Sequence, residues 1–191
     1  MRASLASTSL LLFGLALVPA PARSDTATPA APAQLNRSAT PAPGEKKLPW
    51  LAFDAATDRA MKENKHIIVD IYTTWCGWCK VMDRQTYGNS DVADYLSQNF
   101  VLAKLNGESS AKIHWKGKMI TEREFARSVG VTGFPTTYFL KPNAEIVGGA
   151  PGFLRPNEML IYAKYVSTRW YEKGTPQDYL KSLKQESQQP N

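Results

Sequence analysis

The sequence predicts an α/β fold with a central mixed β-sheet flanked by helices. Three observations carry that expectation. The run His66-Ile67-Ile68-Val69-Asp70-Ile71-Tyr72-Thr73 has apolar and β-branched side chains on both faces, as suits a strand covered on both sides. A second apolar run, Phe100 to Leu105, follows after helical patterning. Thr136 to Leu140 and Glu145 to Val147 then flank the turn Lys141-Pro142-Asn143-Ala144, a hairpin pattern. Strand, helix, strand, helix, hairpin, helix is the order of a mixed α/β sheet.

Taken in order, residues 1–22 read as a secretory signal peptide: Arg2, an apolar run from Leu10 to Val18, and the small-residue exit Ala20-Pro21-Ala22. The alternative is an uncleaved anchor, which the prolines at 19 and 21 suit less well. Residues 23–45 are rich in Pro, Ala, Ser and Thr, with Leu35 the only large aliphatic side chain, and read as a disordered linker that cannot bury enough apolar surface to order itself. One domain is expected over 46–187.

Within it, Phe53, Ala56, Ala60 and Met61 give a helix over 52–65, with Asp54 near its start. After the first strand, Trp75-Cys76-Gly77-Trp78-Cys79-Lys80 leads into a helix to about Tyr87, and Ser90-Asp91 is placed to cap a short helix through Leu96. Residues 107–120 are polar and show no clear period. Thr121-Glu122-Arg123-Glu124 has the spacing of a capping box ahead of Phe125, Val129 and a stop at Gly130. A long amphipathic helix follows Pro156 over Asn157 to Trp170, and a weaker one runs from Gln177 to Gln185.

Composition narrows the function. The 191 residues carry a formal net charge of +6, but the basic residues are scattered among 17 acids, without a basic block interleaved with aromatics, so nucleic acid is not an expected partner. Two cysteines cannot staple a scaffold or supply a four-thiolate zinc site, so they act as one pair. Cys76 and Cys79 fall where a strand ends and a helix begins, where unpaired backbone N–H groups stabilise a thiolate. Cys76 is expected to be the exposed attacking thiolate, with Cys79 one turn inside to release a mixed disulfide. The competing readings are an inert pair or half of a metal site. A Cys₂His₂ site would need His66 and His114, whose spacing is unlike that of compact zinc fingers; His66 is expected at a strand edge and His114 in a loop.

Several separated motifs resemble the thioredoxin superfamily, and within it exported members similar to the C-terminal domain of the membrane thiol:disulfide interchange protein. They are Ile68 to Lys80, with a strand acid, a Trp and Cys-x-x-Cys; Val101-Leu102-Ala103-Lys104-Leu105-Asn106; Val131-Thr132-Gly133-Phe134-Pro135-Thr136-Thr137; and the final turn with Gly152. The resemblance implies a thioredoxin fold over about residues 50–170. It makes Asp70 the buried acid that assists proton transfer at Cys79, against the alternative of a structurally paired or solvent-facing acid. Lys104 becomes its neighbour rather than an ordinary surface lysine. Pro135 becomes a cis-proline facing the sulfurs, with Phe134 backbone groups pairing with substrate, rather than simply a proline that begins a strand. Trp75 is a lid beside the thiols or packing, and Trp78, where thioredoxin has Pro, joins the substrate-facing surface. Gly152 is expected to pack near the active site. The Lys104 to Pro135 interval is long, and residues 107–120 read as an inserted loop before the cis-Pro segment, an extra loop or lid near the active face.

The expected function is that of an exported, periplasmic thiol:disulfide oxidoreductase that reduces protein disulfides as a monomer. No Gly-x-Gly-x-x-Gly fingerprint or metal set points to a cofactor, so electrons are expected from a protein donor, which the resemblance implies is a membrane thiol transporter. The rival readings are a disulfide oxidase or isomerase, and a non-catalytic module that binds metal or a partner. The ending Gln188-Gln189-Pro190-Asn191 lacks an endoplasmic-reticulum retention signal.

Overall fold

The computed structural model describes residues 47–186 and 188; the signal-peptide and linker readings lie outside the described residues. The element order is α1 (Phe53–Glu63), β1 (His66–Tyr72), α2 (Gly77–Met82), α3 (Ser90–Asn99), β2 (Phe100–Asn106), β3 (Lys112–Trp115), β4 (Lys118–Thr121), α4 (Glu122–Ser128), β5 (Thr136–Leu140), β6 (Ile146–Pro151), α5 (Pro156–Ser167) and α6 (Pro176–Glu186). A π-helical turn, Asp83–Tyr87, continues α2, and a 3₁₀ turn, Trp170–Glu172, follows α5.

Four strands form a sheet in the order β2-β1-β5-β6, with β1 parallel to β2 and the other pairs antiparallel. β1 is buried along nearly its whole length, so its alternating side chains feed two cores. Ile67, Val69 and Ile71 pack with Phe53, Ala56, Ala60 and Phe125 from α1 and α4. Ile68 faces the other way, with Leu96 of α3 and Met159, Ala163 and Val166 of α5. Ile68 pairs with Leu102 on one side and Phe139 on the other, giving an apolar row across three strands. The next row up, two residues along each strand on the same face, is Lys104, Asp70 and Thr137.

Several local expectations are corrected. Residues 107–120 are not a featureless inserted loop: β3 and β4 form an antiparallel hairpin turning through Lys116 and Gly117, both at positive φ. Ile113 and Trp115 are buried in the α1/α4 core, so the hairpin belongs to that core rather than acting as a lid. His114, expected in a loop, lies on β3, where its backbone N–H and Nδ1 meet the Asp54 carboxylate at 2.9 and 2.8 Å. Asn89, not Ser90 or Asp91, caps α3: its side chain accepts the Val92 N–H, and the helix runs on to Asn99. The last strand extends past Val147 to Pro151, with Gly149 paired to Tyr138 at a point where a Cβ would come within 2.8 Å of the Tyr138 ring. α5 ends at Ser167, short of Trp170, and α6 runs to Glu186. The α4 capping box forms as expected.

If the hairpin is core, removing Trp115 must cost stability. Its ring centroid lies 4.8 Å from Phe125 and 6.0 Å from Phe53. Trp115→Ala is expected to lower unfolding free energy by about 3–5 kcal/mol in a denaturant titration. A variant as stable as the parent would contradict this placement.

Candidate active site

The end of β1 and the start of α2 bring the cysteines together. Cys76 is the N-cap of α2: its N–H donates to the Thr73 carbonyl at 3.2 Å, and its sulfur accepts the Cys79 N–H at 3.0 Å. The two sulfurs are joined as a disulfide, with Cα atoms 5.3 Å apart. Cys76 is only 3% exposed and Cys79 5%, so the expected exposure of Cys76 is not found in this oxidised pair. The surface around them is made instead by Gly77 and by the indoles of Trp75 and Trp78, 65% and 63% exposed.

Both indoles lean on the segments around Pro135. Trp75 donates its ring N–H to Glu108 at 2.8 Å and meets the Phe134 ring edge-on at 6.0 Å. Trp78 lies 5.7 Å from Phe153. The Phe134–Pro135 bond is cis, Pro135 is buried, and its carbonyl accepts the Gly152 N–H at 2.8 Å. Gly152 is not a packing glycine, since a Cβ there would meet nothing within 4 Å; its φ of +85° is what requires glycine. Packing is decisive instead at Gly107, where a Cβ would come within 2.4 Å of the Phe134 ring.

In the polar row of the sheet, Asp70 is 2% exposed. Its Oδ2 lies 3.2 Å from Lys104 Nζ, which also donates to Asp83 Oδ1 at 2.5 Å. The rings of Trp50, Tyr72 and Tyr87 surround the ammonium with centroids 5.3, 5.1 and 6.0 Å away. Burial pushes the Asp70 carboxyl up to about 6, outweighing the downward pull of Lys104. Burial acts downward on Lys104, yet the two carboxylates hold it above its ordinary value. Burial, followed by the Asp70 charge, holds the Tyr87 phenol well above its ordinary value. Asp70 Oδ1, Thr73 Oγ1, Tyr87 Oη and Thr137 Oγ1 are buried without a hydrogen-bond partner among the described residues.

Thus Cys76 and Cys79 are bonded, Asp70 meets Lys104, and Trp75 meets Phe134. Sequence reasoning missed Asp83, Tyr87, Glu108 and Phe153. Asp83 and Tyr87 stand four and eight residues after Cys79, a helical spacing that could have revealed the first two; Glu108 and Phe153 had no such signal. The histidines are committed elsewhere, His66 to Tyr171 at 2.9 Å and His114 to Asp54. No group of three or more His, Cys, Asp or Glu able to hold a metal ion occurs among the described residues.

A family model described as a thioredoxin-like domain matches residues 53–167. Spermatogenesis-associated protein 20 of Homo sapiens is 32% identical over 102 residues, 53% of this chain and 12% of that protein. This chain therefore spans about an eighth of that relative's length. The solution structure of a thioredoxin from Thermus thermophilus superposes with a TM-score of 0.52 at 25% identity, covering 63% of this chain and 88% of that one. A thioredoxin-fold protein from Helicobacter pylori gives 0.53 at 20% identity, covering 64% and 81%, a likeness of fold.

The raised Asp70 value has a stability consequence. Between its ordinary value of 3.8 and about 6, the unfolded chain releases this proton while the folded chain keeps it. The contribution is fully present below 3.8 and lost as pH rises through 6. Urea unfolding of the oxidised protein from pH 4 to 8 should show this loss, about 3 kcal/mol for two units, and Asp70→Asn should flatten it. Lys104→Met, which removes the downward pull on Asp70, should move the loss to higher pH. Identical profiles for parent and Asp70→Asn would refute the assignment.

Proposed function

The chain belongs to the thioredoxin-like domain family, and from that premise we propose that it is an exported thiol:disulfide oxidoreductase that reduces disulfides in other proteins. The observation that carries the reading is the Cys76–Cys79 disulfide at the strand-to-helix junction, one turn of α2 apart, with a Cys79 N–H aimed at the Cys76 sulfur.

In the reduced enzyme, the Cys76 thiolate attacks one sulfur of a substrate disulfide. An S–S bond to Cys76 forms, the substrate bond breaks, and one substrate thiolate leaves. Cys79 loses its proton and attacks the Cys76 sulfur, expelling the second substrate thiolate. Two electrons have passed to the substrate, and the enzyme holds the disulfide seen here. Asp70, with a proton affinity near the working pH, is suited to exchange the Cys79 proton, and Lys104 restrains its charge. Trp75, Trp78 and the segment from Phe134 to Pro135 supply the surface on which substrate lies. A dithiol protein donor, by resemblance a membrane thiol transporter, returns the electrons, and the signal-like residues 1–22 support work outside the cytoplasm.

Direction follows from what stabilises the thiolate. A strong oxidant owes its potential to a strongly stabilised reduced form. Here the hydrogen bond to a sulfur among the described residues is the single Cys79 N–H, at the start of a six-residue helix. So few donors at the sulfur support the reductase reading.

The parent should reduce insulin disulfides with dithiothreitol as donor, Cys76→Ser should not, and Cys79→Ser should accumulate a mixed disulfide with substrate. A redox equilibrium with glutathione or dithiothreitol should give a potential near about −270 mV; a value near about −120 mV would make the protein an oxidase.

A further inference from the structure

We propose that a cavity beside the disulfide loop is a recognition subsite for an acidic side chain, Asp or Glu, of the substrate segment that flanks the attacked cysteine. This rests on the oxidoreductase reading and adds substrate preference to it. The cavity, about 600 Å³, is bounded by Gly107 and Glu108 after β2, by Arg123 and Arg127 on α4, and by Val131 and Phe134 ahead of the cis peptide. One ring contact ties it to the chemistry: Phe134, part of its wall, meets Trp75, the residue beside Cys76. An extended substrate chain advances about 3.3 Å per residue. A side chain two positions from the reacting cysteine stands about 7 Å along the chain, a span comparable with the 6.0 Å between the Trp75 and Phe134 rings.

Charge decides what it accepts. Arg123 donates from Nε and Nη2 to the Glu108 carbonyl at 3.1 and 2.5 Å, which fixes the guanidinium plane. Its other terminal N–H groups have no hydrogen bond among the described residues and point a charged donor pair at an incoming carboxylate. Arg127 is four residues on, on the same helix face. Glu108 in the wall keeps its negative charge while it accepts the Trp75 indole N–H, so the lining sets two guanidiniums against one carboxylate, and Glu124 is turned to the Thr121 N–H and hydroxyl of the capping box. Val131 and Phe134 give the methylenes of a Glu an apolar wall. Gly107 keeps that wall in place, because any larger residue would displace the Phe134 ring.

The test uses two disulfide-linked peptides, identical except for Glu or Lys two residues from the reacting cysteine, and hydroxyethyl disulfide as a small neutral substrate. With the parent enzyme, kcat/KM for the Glu peptide should exceed that for the Lys peptide by about tenfold, and the gap should narrow with salt. In Arg127→Glu, rates normalised to that variant's own hydroxyethyl disulfide turnover should reverse in order, and Arg127→Gln should bring the peptides toward parity. Equal rates for both peptides, or a Glu preference that persists in Arg127→Glu, would overturn the subsite while hydroxyethyl disulfide turnover still upheld the reductase. Failure of the parent on all three substrates would overturn the reductase reading and the subsite with it.

Discussion

A carboxylate at the centre of a sheet is the constraint around which this molecule is arranged. Every β1 side chain but the last is buried, and Asp70 interrupts a run otherwise chosen for apolar packing. An isolated buried charge would be neutralised or would drive the strand apart. The cation that prevents this comes from the next strand: parallel register sets Lys104 beside Asp70, and alternation sends both side chains to the same face. Lys104 in turn is held by three aromatic rings and by Asp83. Burial raises the Asp70 carboxyl to about 6 against the pull of Lys104, and the Asp83 charge, which shares that one base, adds to the rise.

The helical segment after the disulfide completes that environment. Cys79, Asp83 and Tyr87 are spaced four residues apart, and Cys79 and Tyr87 are both buried. One face of α2 and its π-helical turn thus presents a sulfur, a carboxylate and a phenol toward the end of the sheet. The turn is tied down from the far side, where the Thr86 hydroxyl donates to the Leu154 carbonyl at 2.5 Å. Leu154 follows Phe153, the ring beside Trp78. The polar row and the exposed rim are therefore coupled through one short helix.

What the sequence disclosed follows the range of its signals. Double-sided burial of β1, the Cys-x-x-Cys junction and the α4 cap depend on residues within about ten positions, and all were legible. The Asp70–Lys104 pairing spans 34 positions and was reached only by resemblance, because strand register is not written in either strand alone. Residues 112–121 show no period in the sequence because each strand has four residues, and Ile113 and Trp115, with the part-buried Ile120, are too few core contacts to establish one. Their anchor is also distant, since Asp54 accepts from His114 across 60 positions. Exposure of Cys76 was misjudged for a different reason: helix N-terminal placement predicts reactivity, but the adjacent indoles decide what solvent sees.

The two indoles are not equivalent, and the difference bears on how a buried disulfide meets its substrate. Trp75 is fixed by a hydrogen bond to Glu108 and by the Phe134 ring, itself seated on Gly107. Trp78 has the Phe153 ring as its aromatic partner and no hydrogen bond among the described residues. A large apolar side chain so placed loses little order when it shifts, whereas moving Trp75 would break a polar contact and unseat its neighbour. The Trp75 side thus forms the more restrained wall, continuous through Phe134 with the Arg123 and Arg127 cavity, and the Trp78 side is the more adjustable one. Thioredoxin's proline at position 78 would supply no aromatic side chain there, so the Trp that departs from the thioredoxin pattern adds a second, less restrained indole to the rim opposite the fixed wall.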